Sequence, residues 1–329
     1  MRNHATLTRR AALGAIAALA AAASRPVRAQ AFPSRTVTIV VPYPAGGPVD
    51  ALARLLAEEA AGDLGQPVTV ENRAGAAGMT GTGSVARADP DGHTLVLGTN
   101  QTHATNQSLF KTCPYDATRD FAPVAGIVEI PHVLVARKSL PAGNVAELVA
   151  LAKRAPDSLN YGSTGNGSAS HLAAELFKTR TGADIRHIPF KGAAPMTTEL
   201  LAERIDISFA TLPSVIRQIE AGNLKALGIA SAKRAATLPN VPTMNEQGVA
   251  GVEADAWFAL FAPAGTPAPA IDRLYRAIVT AVGKEKLRQA LAAQGMTIAV
   301  RAPSELSAAL PGEVAKWADV IKSARVTVE

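Results

Sequence analysis

At 329 residues the chain is long enough for two α/β lobes, each with its own core. Aromatic residues make up 4% of it, and Ala, Val, Leu and Gly carry the apolar share, which suits short helices packed on sheets. The net charge of +6 does not argue for a nucleic-acid partner: residues 1–29 hold Arg2, Arg9, Arg10, Arg25 and Arg28 and no acid, and taking these five from the 33 Lys+Arg leaves 28 against 27 Asp+Glu, a net of +1.

Residues 1–29 read as an export signal peptide. A basic stretch ends at Thr8-Arg9-Arg10, an apolar run follows from Ala11 to Ala23, and Val27-Arg28-Ala29 places small residues three and one before a cut, so cleavage is expected after Ala29. The apolar run is too short to span a bilayer comfortably. The Arg pair hints at twin-arginine export, but Ala11-Ala12-Leu13 continues that motif poorly, so Sec export stays open beside it. No other segment is apolar enough to cross a membrane, and a soluble periplasmic protein is expected. The lone Cys113 has no internal disulfide partner and reads as structural.

Thr36 to Val41 is a buried-strand pattern that exits into Pro42-Tyr43-Pro44-Ala45-Gly46-Gly47. A helix then begins, with Pro48 in its first turn, Val49, Leu52, Leu55 and Leu56 on one face, and Gly62 expected to end it. Strands follow at Val68–Val70 and His93–Gly98, with a Gly-rich stretch from Gly75 to Gly83 between them. The same grammar restarts in the middle. Asn144 and Glu147 resemble a capping pair for a helix from Val145 to Ala155. Strand Leu159–Tyr161 runs into Gly162-Ser163-Thr164-Gly165-Asn166-Gly167-Ser168 and a helix. Strand Ile185–Ile188 exits at Pro189-Phe190-Lys191-Gly192, and strand Ile205–Phe209 exits at Ala210-Thr211-Leu212-Pro213. A further strand covers Leu224 to Ala230. The alternation predicts an α/β fold of two lobes, each a mainly parallel sheet flanked by helices. Apolar stretches near 125–136 and 252–262 are the candidate crossings. The expected lobes are therefore 30–129 with 258–329, a discontinuous lobe 1, and 130–257, lobe 2.

Ligands of open parallel sheets bind outside the carboxyl ends of the strands. Pro44 to Pro48 and Gly162 to Ser168 each lead straight into a helix. Glycines let backbone approach a ligand, and free N–H groups at a helix start favour an anion. Each helix dipole contributes about 0.3–1 kcal/mol, and each charge-assisted hydrogen bond about 1.5–3 kcal/mol. One loop alone is what an ordinary turn looks like. Two, one per lobe, favour a site for both ends of a dicarboxylate, or for one carboxylate and a polar tail. Lys191 can pair with an anionic ligand or be a solvated loop lysine. Asp50 lies in a first turn, where a carboxylate is favoured in any case.

Catalytic and metal motifs fail in turn. Gly162 to Gly167 has P-loop spacing, but Ser168-Ala169 replace the Lys-Ser/Thr pair, Ser170 replaces the third Gly of a dinucleotide fingerprint, and Tyr161 excludes a Gly-x-Ser-x-Gly elbow at Ser163. Ser168 and His171 form a possible nucleophile and base with no evident third member. More simply, Ser168 caps the helix, and His171 faces the cleft or packs. His4, His93, His103, His132, His171 and His187 share no zinc-ligand spacing. No cofactor, metal or catalytic residue is expected.

The blocks VPYPAGGPVDALARLLAE, GQPVTVENRAGAAG, ADPDGHTLVLGT, YDATRDFAPV, LNYGSTGNGSASHLAAELF, HIPFKGAAP, LPNVPTMNEQG and WFALFAPAGTP, in that order along nearly the whole mature chain, resemble the substrate-binding proteins of tripartite tricarboxylate transporters, the Bug receptors. The resemblance implies a two-lobed periplasmic-binding fold, type II-like, with the ligand in the interlobe cleft and hinge closure around it. It implies a non-enzymatic receptor, a monomer, that hands a small organic carboxylate to the transporter's membrane components. A periplasmic sensor, or a small-acid hydrolase or isomerase on the same lobes, is the alternative. The family's carboxylate grip maps onto Tyr43, Ala45, Gly46 and Gly47 and onto Ser163, Thr164, Gly165, Asn166 and Gly167. The variable end of the ligand maps onto Thr99, Asn100, Lys191, Gly192 and Thr211. Two departures stand out. Phe209-Ala210-Thr211-Leu212-Pro213-Ser214 lacks the family's Asp after Phe, which argues against a ligand with an ammonium group. Pro311-Gly312 predicts a break or kink in the C-terminal helix.

Overall fold

The computed structural model describes residues 32–156 and 158–328. The expected export signal, residues 1–29, lies outside them. The chain alternates strands and helices from β1 (Val37–Val41) and α1 (Pro48–Leu64) through β2 (Val68–Asn72), α2 (Met79–Ala86) and β3 (Thr94–Thr99). A π-turn at Gln101–Thr105 continues into α3 (Asn106–Leu109), and β4 (Phe121–Ile130) follows. Next come β5 (His132–Arg137), α4 (Val145–Arg154), β6 (Asn160–Ser163), α5 (Ala169–Thr181), β7 (Arg186–Pro189) and α6 (Ala193–Leu201). Then β8 (Ile207–Thr211), α7 (Leu212–Glu220) and β9 (Leu224–Ile229) lead to β10 (Ala256–Pro263). Last are α8 (Ala268–Gly283), α9 (Glu285–Ala293), β11 (Thr297–Arg301) and α10 (Pro303–Ser323).

The strands form two sheets, in the orders β11-β4-β10-β3-β1-β2 and β7-β6-β8-β5-β9. The Val37–Val41 run is apolar but for half-buried Thr38, because parallel partners flank it on both sides and Val37, Ile39, Val40 and Val41 are buried. The two-lobed α/β class is the one read from the sequence, but the sheets are mixed. Only β1, β2 and β3, and likewise β6, β7 and β8, pair in parallel. The strands that enter by crossing between sheets run against them: β10 returns antiparallel between β3 and β4, and β5 lies antiparallel between β8 and β9.

The first crossing is abrupt. Pro131 alone separates β4 of one sheet from β5 of the other. The second runs from β9 to β10. The two crossings touch where His132 Nδ1 meets Ala254 O at 2.6 Å. A carbonyl only accepts, so Nδ1 carries the proton. Burial keeps this imidazole neutral, with its pKa pulled down to about 4.

Two helix ends differ from expectation. The first helix passes Gly62 and closes at Gly65, whose φ of 72° suits glycine and whose N–H reaches Ala61 O. The C-terminal helix α10 runs unbroken through Pro311 and Gly312. The carbonyl that Pro311 leaves without a donor belongs to Ser307, and Ser307, Pro311 and Gly312 are all exposed, so water can take that role. Packing on both sides holds the helix. Leu306 and Leu310 join a cluster on the first sheet, while Trp317, Val320 and Ile321 join the core of the second.

Candidate functional site

A cleft of about 620 Å³ opens between the two sheets. Its walls are strand exits. Tyr43 to Asp50 follow β1, Thr99 to Gln101 close β3, Thr164, Ser168 and Ala169 follow β6, Gly192 follows β7, and Thr211 ends β8. Phe258 of β10 completes the lining. Gly47, Asn100, Ser168, Gly192 and Thr211 are the residues immediately before α1, the π-turn, α5, α6 and α7, and all five border this cleft. Five helical starts thus converge on one space. In α1 the ladder begins with Ala51 N–H on Gly47 O, leaving the N–H groups of Val49 and Asp50 outside it. In α5 it begins with Leu172 N–H on Ser168 O, leaving those of Ala169 and Ser170 outside it.

The first loop is fixed by Asp50, which is buried. Its carboxylate accepts Gly46 N–H at 2.9 Å, Arg54 Nε and Nη2 at 3.0 and 2.9 Å, and Asn72 Nδ2 at 2.9 Å. The bonded Arg54 guanidinium, then Gly46 N–H and Asn72, hold its pKa at about 2 against the opposing pull of burial. Asp50 is therefore an anion whose charge Arg54 answers, and its work is internal to the loop. Tyr43 Oη donates to Gln101 Oε1 at 3.3 Å and so takes the proton of Thr99 Oγ1 at 2.9 Å. Burial pushes this phenol up to about 12, so it stays neutral.

The second loop is held by a residue that the sequence pattern did not single out. Ser170, buried, accepts Thr164 N–H at 2.9 Å and lies 3.1 Å from Thr164 Oγ1 and 3.0 Å from Ser168 Oγ. One Ser170 proton serves only one of those two hydroxyls. The other hydroxyl must donate to Ser170, so one hydroxyl proton of the pair is spent inside and one is left for a ligand. Ser168 Oγ also caps α5 by accepting His171 N–H at 3.3 Å.

Tyr43, Ala45, Gly46, Gly47, Asp50, Thr99, Asn100, Thr164, Ser168, Gly192 and Thr211 are thus brought to one cleft. Ser163, Gly165, Asn166, Gly167, His171 and Lys191 are not among its lining residues. Ser163 is buried behind the loop, with Oγ meeting His187 Nε2 at 2.6 Å and accepting Gly165 N–H at 3.2 Å. His171 packs rather than facing the cleft, and its Nδ1 is occupied by Gly167 N–H at 3.0 Å, which leaves no base aimed at Ser168. Ala210 is also buried, packed with Val133 and Val135, so an acid at that position would enter an apolar cluster and not the cleft.

The lining adds Pro44, Pro48, Val49, Gln101, Ala169 and Phe258 to the sequence-predicted set. Gln101 directly follows Thr99-Asn100, and Ala169 directly follows Ser168, so extending each exit by one residue finds them. Phe258 carries no local signal. It arrives only because β10 inserts beside β3, with Phe258 opposite Thr99. Among the described residues, the lining contains no Lys or Arg, and Asp50 is its one acid.

The sequence profile of the tripartite tricarboxylate transporter family receptor matches residues 52–326. Protein BugT of Bordetella pertussis is 37% identical over 317 residues, spanning 96% of this chain and 97% of that protein. Among solved structures, R. palustris Rpa4515 with adipate superposes with a TM-score of 0.79 at 37% identity, covering 90% of this chain and 99% of that one. MatC (Rpa3494) from Rhodopseudomonas palustris with bound malate gives 0.76 at 36% identity, covering 88% and 100%.

Proposed function

The chain belongs to the tripartite tricarboxylate transporter receptor family, periplasmic solute-binding receptors rather than enzymes, and on that premise we propose that it captures a small organic carboxylate in the cleft between its sheets. It then presents this ligand to the membrane components of a tripartite transporter. The convergence of five helical starts on one cleft carries this reading. A carboxylate is met by backbone N–H groups at the starts of α1 and α5 and by one hydroxyl of the Thr164–Ser168 pair, with no side-chain cation. Thr99, Asn100, Gly192 and Thr211 meet the rest of the ligand, and Phe258, Val49 and Pro48 offer it an apolar wall. The adipate and malate of the two R. palustris neighbours are acids of the size this cleft admits.

The ligand is a plain carboxylate rather than an amino acid. Asp50, and not the buried Ala210, supports this. Among the described lining residues Asp50 is the one acid, and it is engaged by Arg54, Asn72 and Gly46 N–H, so no free carboxylate there answers an ammonium group. Tighter calorimetric binding of aspartate or glutamate than of their des-amino analogues would contradict this.

Export with cleavage after Ala29, action as a monomer, and the lobes 30–129 with 258–329 and 130–257 belong to the same proposal. The changes of sheet at Pro131 and between β9 and β10 support those lobe bounds, with α10 as a strap that packs on both cores. The test is a thermal-shift screen of mono-, di- and tricarboxylates, aromatic ones included, on protein stripped of copurified ligand. An acid at a hundredfold excess over its Kd stabilises the fold by about 2.7 kcal/mol. At least one acid should give a saturable shift, and no shift with any of them would contradict the proposal.

A further inference from the structure

Behind the second loop lies a polar cluster that contact with a ligand does not use. His171 is 7% exposed, in the first turn of α5. Its ring stacks on His187, with centroids 3.8 Å apart and planes 14° apart. Gly167 N–H points to His171 Nδ1, and Gly165 N–H points to Ser163 Oγ, which His187 Nε2 holds in turn. Both glycine N–H groups of the loop are thus turned inward onto side chains rooted in the second lobe. The loop needs such anchors, because Gly165 and Gly167 adopt φ of 137° and 70° and glycine has the most conformational freedom to lose. Its far side is closed by Leu109 and Val328, whose atoms would lie 2.8 and 3.2 Å from a Cβ at Gly167.

We propose that His171 is a positioning residue for ligand capture: its neutral imidazole accepts Gly167 N–H and holds the loop that precedes α5 in its binding shape, and taking up a proton releases that loop. This rests on the reading of the cleft as the carboxylate site and adds a means of regulating it. A neutral imidazole with its proton on Nε2 has one acceptor, Nδ1, and the loop uses it. An imidazolium has two donors and no acceptor, so it would set an N–H against the Gly167 N–H.

Among the described residues, the titratable and charged groups around this ring are His187 of β7, Tyr161 of β6, and Glu175 and Lys178 of α5. Tyr161 Oη donates to Glu175 Oε1 at 2.6 Å, and Lys178 Nζ reaches the same oxygen at 2.9 Å. Burial, with Lys178 second, pulls His171 down to about 4. Burial, with the neighbouring His171 second, does the same to His187. The loop is therefore held at neutral pH and released only in acid.

The first arm of the test needs no ligand. Amide exchange and ¹⁵N shifts of Gly167 are followed in the unliganded, uniformly labelled protein from pH 7 to pH 3.5, with amides of the sheet cores reporting that the fold persists. Gly167 should be protected at pH 7 and lose its protection together with protonation of His171. At pH 7, His171→Leu should abolish the protection and His171→Asn, whose amide oxygen can replace Nδ1, should restore it. The variant pair decides the positioning role even if the chain unfolds before pH 4. The second arm measures Kd for whichever acid the thermal-shift screen yields. His171→Leu should weaken it by about tenfold or more, and His171→Asn should recover most of that loss. Protection of Gly167 that persists in folded His171→Leu overturns the proposal, as does an unchanged Kd in that variant. A screen with no hit bears on the ligand and leaves the first arm to decide on His171.

Discussion

The carboxylate of Asp50 accepts the backbone N–H of Gly46 at 2.9 Å, so the first residues of α1 fasten the loop that leads into them. The same carboxylate takes two donors from Arg54 and one from Asn72 at the end of β2. One side chain thereby ties strand exit, helix start and neighbouring strand together beside the cleft.

Asp50→Ala should remove that tie. We expect a loss of about 1–2 kcal/mol in stability, less than a fully buried ion pair would give because Arg54 is half-exposed, and about tenfold weaker carboxylate binding. The pH dependence follows from the lowered pKa. Folding favours the ionised form, so the stabilisation is complete above the ordinary value of 3.8 and is lost as pH falls through about 2. Chemical denaturation of wild type and variant should show a gap that is constant at neutral pH and narrows below pH 4.

Gly46 and Gly47 should respond differently to alanine. Gly46 has φ 86°, where a Cβ is strained although nothing lies within 4 Å of it. Gly47 is extended at φ −82°, and its Cβ would meet only Pro44 O at 3.9 Å. Gly46→Ala should cost about 1–2 kcal/mol, whereas Gly47→Ala should cost a few tenths. Thermal melts of the two variants check this, and equal costs would contradict it.

Asp255 lies where the second crossing enters β10 and has the opposite behaviour to Asp50. Burial, with Glu129 adding to it and Ser231 Oγ opposing it, raises its pKa to about 7. The folded state then holds a proton that the unfolded chain has released, so stability falls as pH rises from about 4 to about 7. Asp255→Asn keeps an acceptor for Ser231 and removes the penalty. The variant should be about 1–2 kcal/mol more stable than wild type at pH 8 and indistinguishable from it at pH 4. Calorimetric melts across that range measure the difference.

The strand exits were legible in the sequence because apolar runs ending in Gly, Pro, Ser and Thr are local signals. Pro44 to Pro48 and Gly162 to Ser168 needed no tertiary information. What was not legible depended on pairing across long separations. The antiparallel entry of β10 beside β3, and Phe258 with it, follows from the chain's return between sheets. The unbroken course of α10 through Pro311 depends on cores contributed by both sheets. Loop-side residues share one feature that the sequence does not show. Ser163, Gly167 and His171 stand in the right segment, but their polar atoms serve the loop's own backbone, which spacing alone does not reveal. The placement of Ala210 is hidden for a related reason, since alternation along β8 turns it inward and leaves Thr211 at the cleft.

On the proposed reading, a carboxylate is held between helix starts by neutral donors. A crystal structure of the protein with the acid that gives the largest thermal shift tests it most directly. Carboxylate oxygens should lie within hydrogen-bond distance of the N–H groups at Val49 and Asp50 or at Ala169 and Ser170, with no Lys or Arg side chain in contact. A carboxylate paired with Lys191, or bound outside the cleft between the sheets, would contradict it.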